Sequence, residues 1–470
     1  MSIATAYIPP VPSVPLRPLS LPAFLRAVRT NALGIWPEAA YEQEAMEQSI
    51  LGRRTILLNQ PDAIHRVLVE NHENYRRSPA SIRILRPITG NGLLLAQGED
   101  WRLQRRTVAP ALTPRVLPLL MPHVAAVAQE TVAFLRLQAG RDCDLLAAMQ
   151  VAALEVAGRS MFSMEMRELG PGLRALIQEF GQRCSHPTLL DLLLPPSVPT
   201  PRDLVRWRFK LRWMRYVERI MEARLAVPTA AEARDLFDLL LEARDPESGK
   251  GFSREQLRDQ VATLMLAGHA TTAETLFWAL TLLSRVAAEQ ELVAAEVGAV
   301  DLSPEGAAAA LPTLVRTRAV ISEALRLYPP AFAIARAAIA ADRAAGIDIA
   351  PGTVLLIAPW VLHRHRRLWR DPTVFDPSRF MPDAPQPPRF AYLPFGAGPR
   401  VCVGAQFALA EATLVLAALI QNFEIAMDPT EVVLPVAIVT TQPDHPPRFR
   451  LRARTGRVLD QQALARSLSR

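Results

Sequence analysis

Phe395-Gly396-Ala397-Gly398-Pro399-Arg400-Val401-Cys402-Val403-Gly404 is a short glycine-bearing loop that presents one cysteine. It runs straight into an apolar stretch of good helix formers from Ala405 to about Gln421. Glycines and a proline this close together allow turns and close backbone approach that side chains would block. Cys402 therefore stands just before a helix N-terminus, where backbone N–H groups and the helix dipole favour a thiolate. Such a thiolate serves as a nucleophile, a zinc ligand or the axial ligand of haem iron. Zinc needs about three further ligands, and the other cysteines, Cys143 and Cys184, are isolated and far away in sequence.

The spacing of Phe395, Gly398, Arg400, Cys402 and Gly404 resembles the haem-binding loop of the cytochrome P-450 family. Other segments follow that family's order. Gly98 to Arg106 reads as the start of a helix on which Trp101 and Arg105 are four apart and share a face. Ser253, with Gln256 three residues on, opens a long central helix that runs to about Ser284 and contains Ala267-Gly268-His269-Ala270-Thr271-Thr272. A glycine beside two threonines is a poor helix interior, so a groove is expected there. Glu323 and Arg326 share a helix face ahead of Phe375-Asp376-Pro377-Ser378-Arg379-Phe380.

The resemblance implies a mainly α fold with a small β region and a long central helix over haem. It implies haem b held without a covalent link, with Cys402 as the metal ligand. Trp101, Arg105 and Arg336 then serve the haem propionates, and Phe395, Arg400 and Gly404 complete the cofactor-binding loop. Gly268, Thr271 and Thr272 form the catalytic oxygen groove, and Glu323, Arg326 and Arg379 form a structural ionic cluster. Ala331, Phe332 and Ala333 line the pocket. The implied reaction inserts one oxygen atom from O₂ into an apolar substrate. Electrons come from NAD(P)H only indirectly, through a ferredoxin and ferredoxin reductase or another external reductase.

One departure stands out. Ala270 occupies the place where the family usually has the acid of its proton relay, and Glu274, four residues on, is a candidate substitute on a neighbouring part of the face. The departure leaves open a peroxide-driven or non-oxygenating haem-thiolate enzyme. His269 is expected to point away from the iron.

The remaining text fits a soluble bacterial type. Of the 53 basic residues only Lys210 and Lys250 are lysine, so the net charge of +7 reads as GC-rich coding and not as nucleic-acid binding. Three scattered cysteines fit a reducing cytoplasm. Met1 to Leu21 has neither the basic start nor the apolar run of a signal peptide or membrane anchor. A proline-rich lead (1–45), one catalytic domain (46–452) and an Arg-rich tail (453–470) are expected, in a monomer.

Further local expectations concern the first half of the chain and its surface charges. They are helices from Leu21 to Leu33 and from Trp36 into the forties, and a loop over Tyr75–Gln97 that roofs the pocket. In that loop Arg83 and Arg86 would pair a carboxylate, which suggests a fatty acid, with terpenoids, steroids and aromatic compounds left open as substrates. The proline cluster Leu194–Pro201 is expected to act as a lid. Arg102, Arg106, Arg364, Arg366, Arg367 and Arg370 would offer a basic face to an acidic ferredoxin.

Overall fold

In the computed structural model, which describes residues 6–50, 52–166, 169–228 and 232–454, helices dominate and small sheets lie at one side. The Arg-rich tail from residue 455 onward lies outside the described residues. The axis of the fold is the central helix, Arg254–Arg285, 32 residues long and so roughly 48 Å. Its start is fixed as its sequence demands: the Ser253 side chain accepts from Gln256 N–H while the Gln256 side chain accepts from Ser253 N–H. From Ala273 to Leu283 the helix is buried all round, because Leu145–Phe162, Val315–Leu327 and Ala405–Asn422 pack against it. That burial accounts for its weak amphipathicity.

Among the described residues, three helical stretches, Pro114–Arg136, Leu145–Phe162 and Ala405–Asn422, are long and apolar enough to cross a membrane. In the second and third, 67% and 61% of the apolar window is inside the protein, so their composition is that of core helices.

The largest sheet holds β1 (Ala45–Ile50), β2 (Arg53–Leu58), β3 (Tyr75–Arg77), β4 (Ile334–Ala338) and β5 (Val354–Ile357) in the order β1-β2-β5-β4-β3. Its register sets Arg77 opposite Arg336 at one edge. A small hairpin of β6 (Pro435–Ala437) and β7 (Thr441–Pro443) turns at residues 438–440.

Several local expectations are corrected. The helix expected from Trp36 is only a single turn, Glu38–Tyr41, because the following residues are claimed by β1 and by Gly52, at φ 75°, which lets the hairpin to β2 turn. The expected loop Tyr75–Gln97 is instead β3 followed by a helix, Pro79–Thr89. Ser78 caps that helix by accepting from Ser81 N–H, and Pro79 takes its first position, where a missing N–H costs nothing. Arg83 on this helix is buried; it donates to Asp203 at 3.0 Å, to the Val198 carbonyl at 2.8 Å and to the Pro195 carbonyl. It therefore clamps the proline connection. Arg86 is exposed, and neither arginine borders the pocket as a carboxylate partner.

Candidate active site

One cavity of about 940 Å³ collects the separated motifs. Cys402, Phe395, Arg400, Gly404, Trp101, Arg105, Arg336, Gly268, Thr271 and Thr272 all border it. Glu323, Arg326 and Arg379 do not, as expected of a structural cluster. Ser81, Leu85, Leu93 and Leu94, from the stretch expected to roof the pocket, border the cavity, as do Arg174, Phe180 and His186 of Gly170–Glu179 and the turn after it, whereas the Leu194–Pro201 connection expected to act as a lid does not. Ala331 and Ala333 border the cavity, whereas Phe332 packs against the main core.

The cysteine loop is held by its backbone. Gly396 and Gly398 have φ of 72° and 71°, and a Cβ on Gly398 would meet the Leu68 carbonyl oxygen at 2.0 Å, so only glycine fits there. The Cys402 N–H donates to the Phe395 carbonyl at 2.9 Å. The thiol opens onto the cavity but is otherwise enclosed by protein. Burial raises its pKa, while the Gly404 N–H and the Arg105 guanidinium pull it down. A cation at the sulfur would deprotonate it outright. Arg105 donates to the Val401 carbonyl at 2.8 Å, and Arg400 donates to the Ala96 carbonyl at 3.0 Å while lying 4.4 Å over the Trp101 ring.

Three arginines converge here with no carboxylate partner among the described residues. Burial, and the charge of its neighbours Arg336 and Arg400, push Arg77 down to about 9. Burial and Arg400 lower Arg336 to about 10. Burial alone takes Arg400 to about 10. Among the described residues, Arg77 Nε has no hydrogen-bond partner, and Arg336 reaches only the Ala335 carbonyl, at 3.1 Å. Such a cluster is costly unless an anion joins it. Arg77 was not legible from sequence as a site residue; its place follows from the β3–β4 register.

On the central helix, Thr271 Oγ1 donates to the Ala267 carbonyl at 2.6 Å, the back-bond that suits an opened groove. His269 Nε2 lies 3.1 Å from the Gln150 carbonyl, and burial lowers its pKa to about 4, so it is a neutral structural histidine. Thr272 lies beside Glu411 of the Ala405–Asn422 helix; burial raises that carboxyl to about 8 and the Thr272 hydroxyl opposes the rise. Glu274 is likewise raised to about 8 by burial, with the Thr440 hydroxyl opposing.

The ionic cluster is uneven. Glu323 and Arg326, both fully buried, pair through two bonds of 2.7 Å. Arg326 also donates to the carbonyls of His363, Pro372 and Val374 at 2.8, 2.6 and 2.9 Å. Glu323 accepts the Asp376 N–H at 2.9 Å, but Arg379 stands 3.7 Å from it and donates instead to the Asp371 carbonyl.

The family model for cytochrome P450 matches residues 41–446. The chain belongs to the cytochrome P-450 family. It is 33% identical to cyclooctat-9-en-7-ol 5-monooxygenase of Streptomyces melanosporofaciens over 72% of this chain and 74% of that one. Identity is 33% to cyclooctatin synthase of the same species and 32% to pentalenene oxygenase of Streptomyces avermitilis, each over 78% of this chain and 80% of the relative. A crystal structure of a cytochrome P-450DA heme domain superposes with a TM-score of 0.75 at 23% identity, covering 95% of this chain and 98% of that one.

Membership makes haem b the cofactor and monooxygenation of apolar substrates the chemistry of this P-450. The residues present fit that group. Two propionates would answer the demand of Arg77, Arg336 and Arg400 for anions. Gly268 and Gly404 lack positive φ and meet no protein atom within 4 Å of a built Cβ, so open space at the cavity explains both glycines better than protein packing does.

Two expectations follow for this P-450. Arg77→Leu removes one repelling cation, so haem-free protein melts at a higher temperature, while haem is released about ten- to a hundredfold faster to a scavenger, the worth of one charge-assisted bond. Retention unchanged from wild type would show that Arg77 faces no anion.

Glu274→Gln tests the buried carboxyl. Its folded pKa of about 8 exceeds the ordinary value of 4.5, so the fold binds the proton more tightly than the unfolded chain. The stability it contributes is complete below pH 4.5 and is lost as pH rises to about 8. Chemical denaturation should show the Glu274→Gln variant gaining on wild type across that window, by on the order of 4 kcal/mol at its top. A difference independent of pH would contradict the raised pKa.

Proposed function

We propose that this P-450 hydroxylates a cyclic terpenoid, with Cys402 as axial ligand. The observation that carries the reading is the single cavity that gathers Cys402, the unpaired arginines and the Thr271 groove. Arg77, Trp101, Arg105, Arg336 and Arg400 hold the propionates, and Phe395 and Gly404 shape the loop around the sulfur. Bound there, haem supplies oxygen activation driven by the thiolate's electron density. Gly268 keeps the groove open and Thr271 offers a hydroxyl; Thr272 lies beside it with a buried hydroxyl that has no hydrogen-bond partner among the described residues. Glu323, Arg326 and Arg379 hold the shelf beneath.

The terpenoid class is supported by the relatives, two of which are named for cyclooctat-9-en-7-ol and pentalenene. The engagement of Arg83 and the exposure of Arg86 take away the fatty-acid argument. A peroxide-driven enzyme is not favoured, since the relatives are named monooxygenase and oxygenase.

The P-450 draws electrons from an external partner; we assign this to a ferredoxin with its reductase. The basic face expected from sequence for docking is not available as drawn. Arg364 is buried against Trp360, and Arg102, Arg106, Arg366 and Arg370 are ion-paired, which leaves Arg367 of that set. Residues 46–452 act as one catalytic unit, after a lead at 1–45, in a cytoplasmic monomer; three free cysteines suit that compartment.

Titration of the ferric holoenzyme with cyclic terpenoids and with medium-chain fatty acids tests the class. Saturable shifts of the haem band by terpenoids are expected. Shifts by fatty acids alone would overturn it.

A further inference from the structure

Glu274 is the one buried carboxyl on the cavity-lining face of the central helix, and it is only half satisfied. It lies three residues beyond Thr271, is 5% exposed and borders the cavity. Thr440 Oγ1, from the turn between β6 and β7, donates to Glu274 Oε1 at 2.7 Å. Oε2 is buried and has no hydrogen-bond partner. No cation among the described residues pairs with it. Ile438 and Val439, beside Thr440, and Leu325 from the Val315–Leu327 helix also line the cavity.

Two segments more than 160 residues apart, by the spacing of 166 between Glu274 and Thr440, thus meet at an apolar wall and leave one oxygen free. A leucine would pack there without an orphaned polar atom, which a buried site otherwise avoids. Burial also favours the neutral acid near neutrality, so the free oxygen carries a proton to donate.

We propose that Glu274, oriented by Thr440, anchors an oxygen atom of the substrate, so that this P-450 acts on an already oxygenated terpenoid, an alcohol or ketone, in preference to the bare hydrocarbon. This rests on the terpenoid reading above. Glu274 donates its proton as a hydrogen bond to the substrate oxygen, and Thr440 keeps the other carboxyl oxygen occupied. The reaction preceding this one must then install oxygen on the ring skeleton, by an earlier hydroxylation or by capture of water during cyclisation.

The test uses ferric holoenzyme titrated with a cyclic sesquiterpene hydrocarbon, its monohydroxy derivative and the matching ketone, read from the haem absorption band. Wild type should bind the alcohol or ketone roughly tenfold tighter than the hydrocarbon. In Glu274→Leu the preference should fall to within about twofold, with the hydrocarbon bound at least as well as before. Thr440→Val should lose part of it. Glu274→Leu should also melt no lower than wild type, which separates lost recognition from lost folding. Preference retained in Glu274→Leu, or absent in wild type that binds the hydrocarbon, would overturn the proposal while leaving the terpenoid reading intact. A normal haem spectrum that no terpenoid moves would overturn both.

Discussion

Cys402→Ser gives a folded, haem-containing protein whose ferrous carbon monoxide band leaves the thiolate position and whose monooxygenation falls by on the order of a thousandfold or more, roughly 4 kcal/mol of barrier. The loop geometry does not depend on sulfur. Its glycines set the turns, and the bond that closes it runs from the Cys402 N–H to the Phe395 carbonyl. The proposed propionate partners Arg77, Arg336 and Arg400 remain, so haem content should change little. What disappears is the electron donor to the iron. Serine is the closest match in shape, which makes the variant a test of chemistry and not of packing. A wild-type band in the variant would show that the iron is held elsewhere.

Glu323→Ala should yield protein with little or no haem and a strongly lowered melting temperature. The side chain is fully buried against Arg326, which would keep its charge without a counter-ion. Stranding one partner of a buried pair costs about 3–5 kcal/mol, against a total stability of about 5–15 kcal/mol. The same substitution frees the Asp376 N–H and loosens the segment that Arg326 ties through Pro372 and Val374. Arg379→Ala should be milder, because Arg379 stands 3.7 Å from Glu323 and bonds a carbonyl instead. The ratio of haem to protein across these variants measures the ranking. Full haem occupancy in Glu323→Ala would remove the cluster from the cofactor shelf.

How far the chain can be read before its structure depends on how local each instruction is. The Cys402 loop, the Ser253 cap and the central helix are local: each is specified by neighbours within one turn, and each is found where its residues put it. The helix Pro79–Thr89 was hidden because Arg83, a buried residue, interrupts the apolar pattern, and its compensation lies on Asp203, 120 positions away. Arg77 looks like one more charged residue until the sheet register sets it opposite Arg336.

The basic docking face failed for a similar reason. Composition counts Arg364 as a surface charge, but its guanidinium lies 3.6 Å over the Trp360 ring in the interior. Glu274 could be suspected from the alanine at position 270, yet its free oxygen and its partner Thr440 depend on the distant β6–β7 turn.

The most direct measurement of the central claim is the origin of oxygen in the product. Holoenzyme supplied with NAD(P)H, ferredoxin, reductase and a cyclic terpenoid under ¹⁸O₂ should form a product carrying one labelled atom, with the label absent when ¹⁸O is supplied only as water. Product labelled from water alone, or formed equally well with peroxide and no O₂, would contradict a monooxygenase built on Cys402.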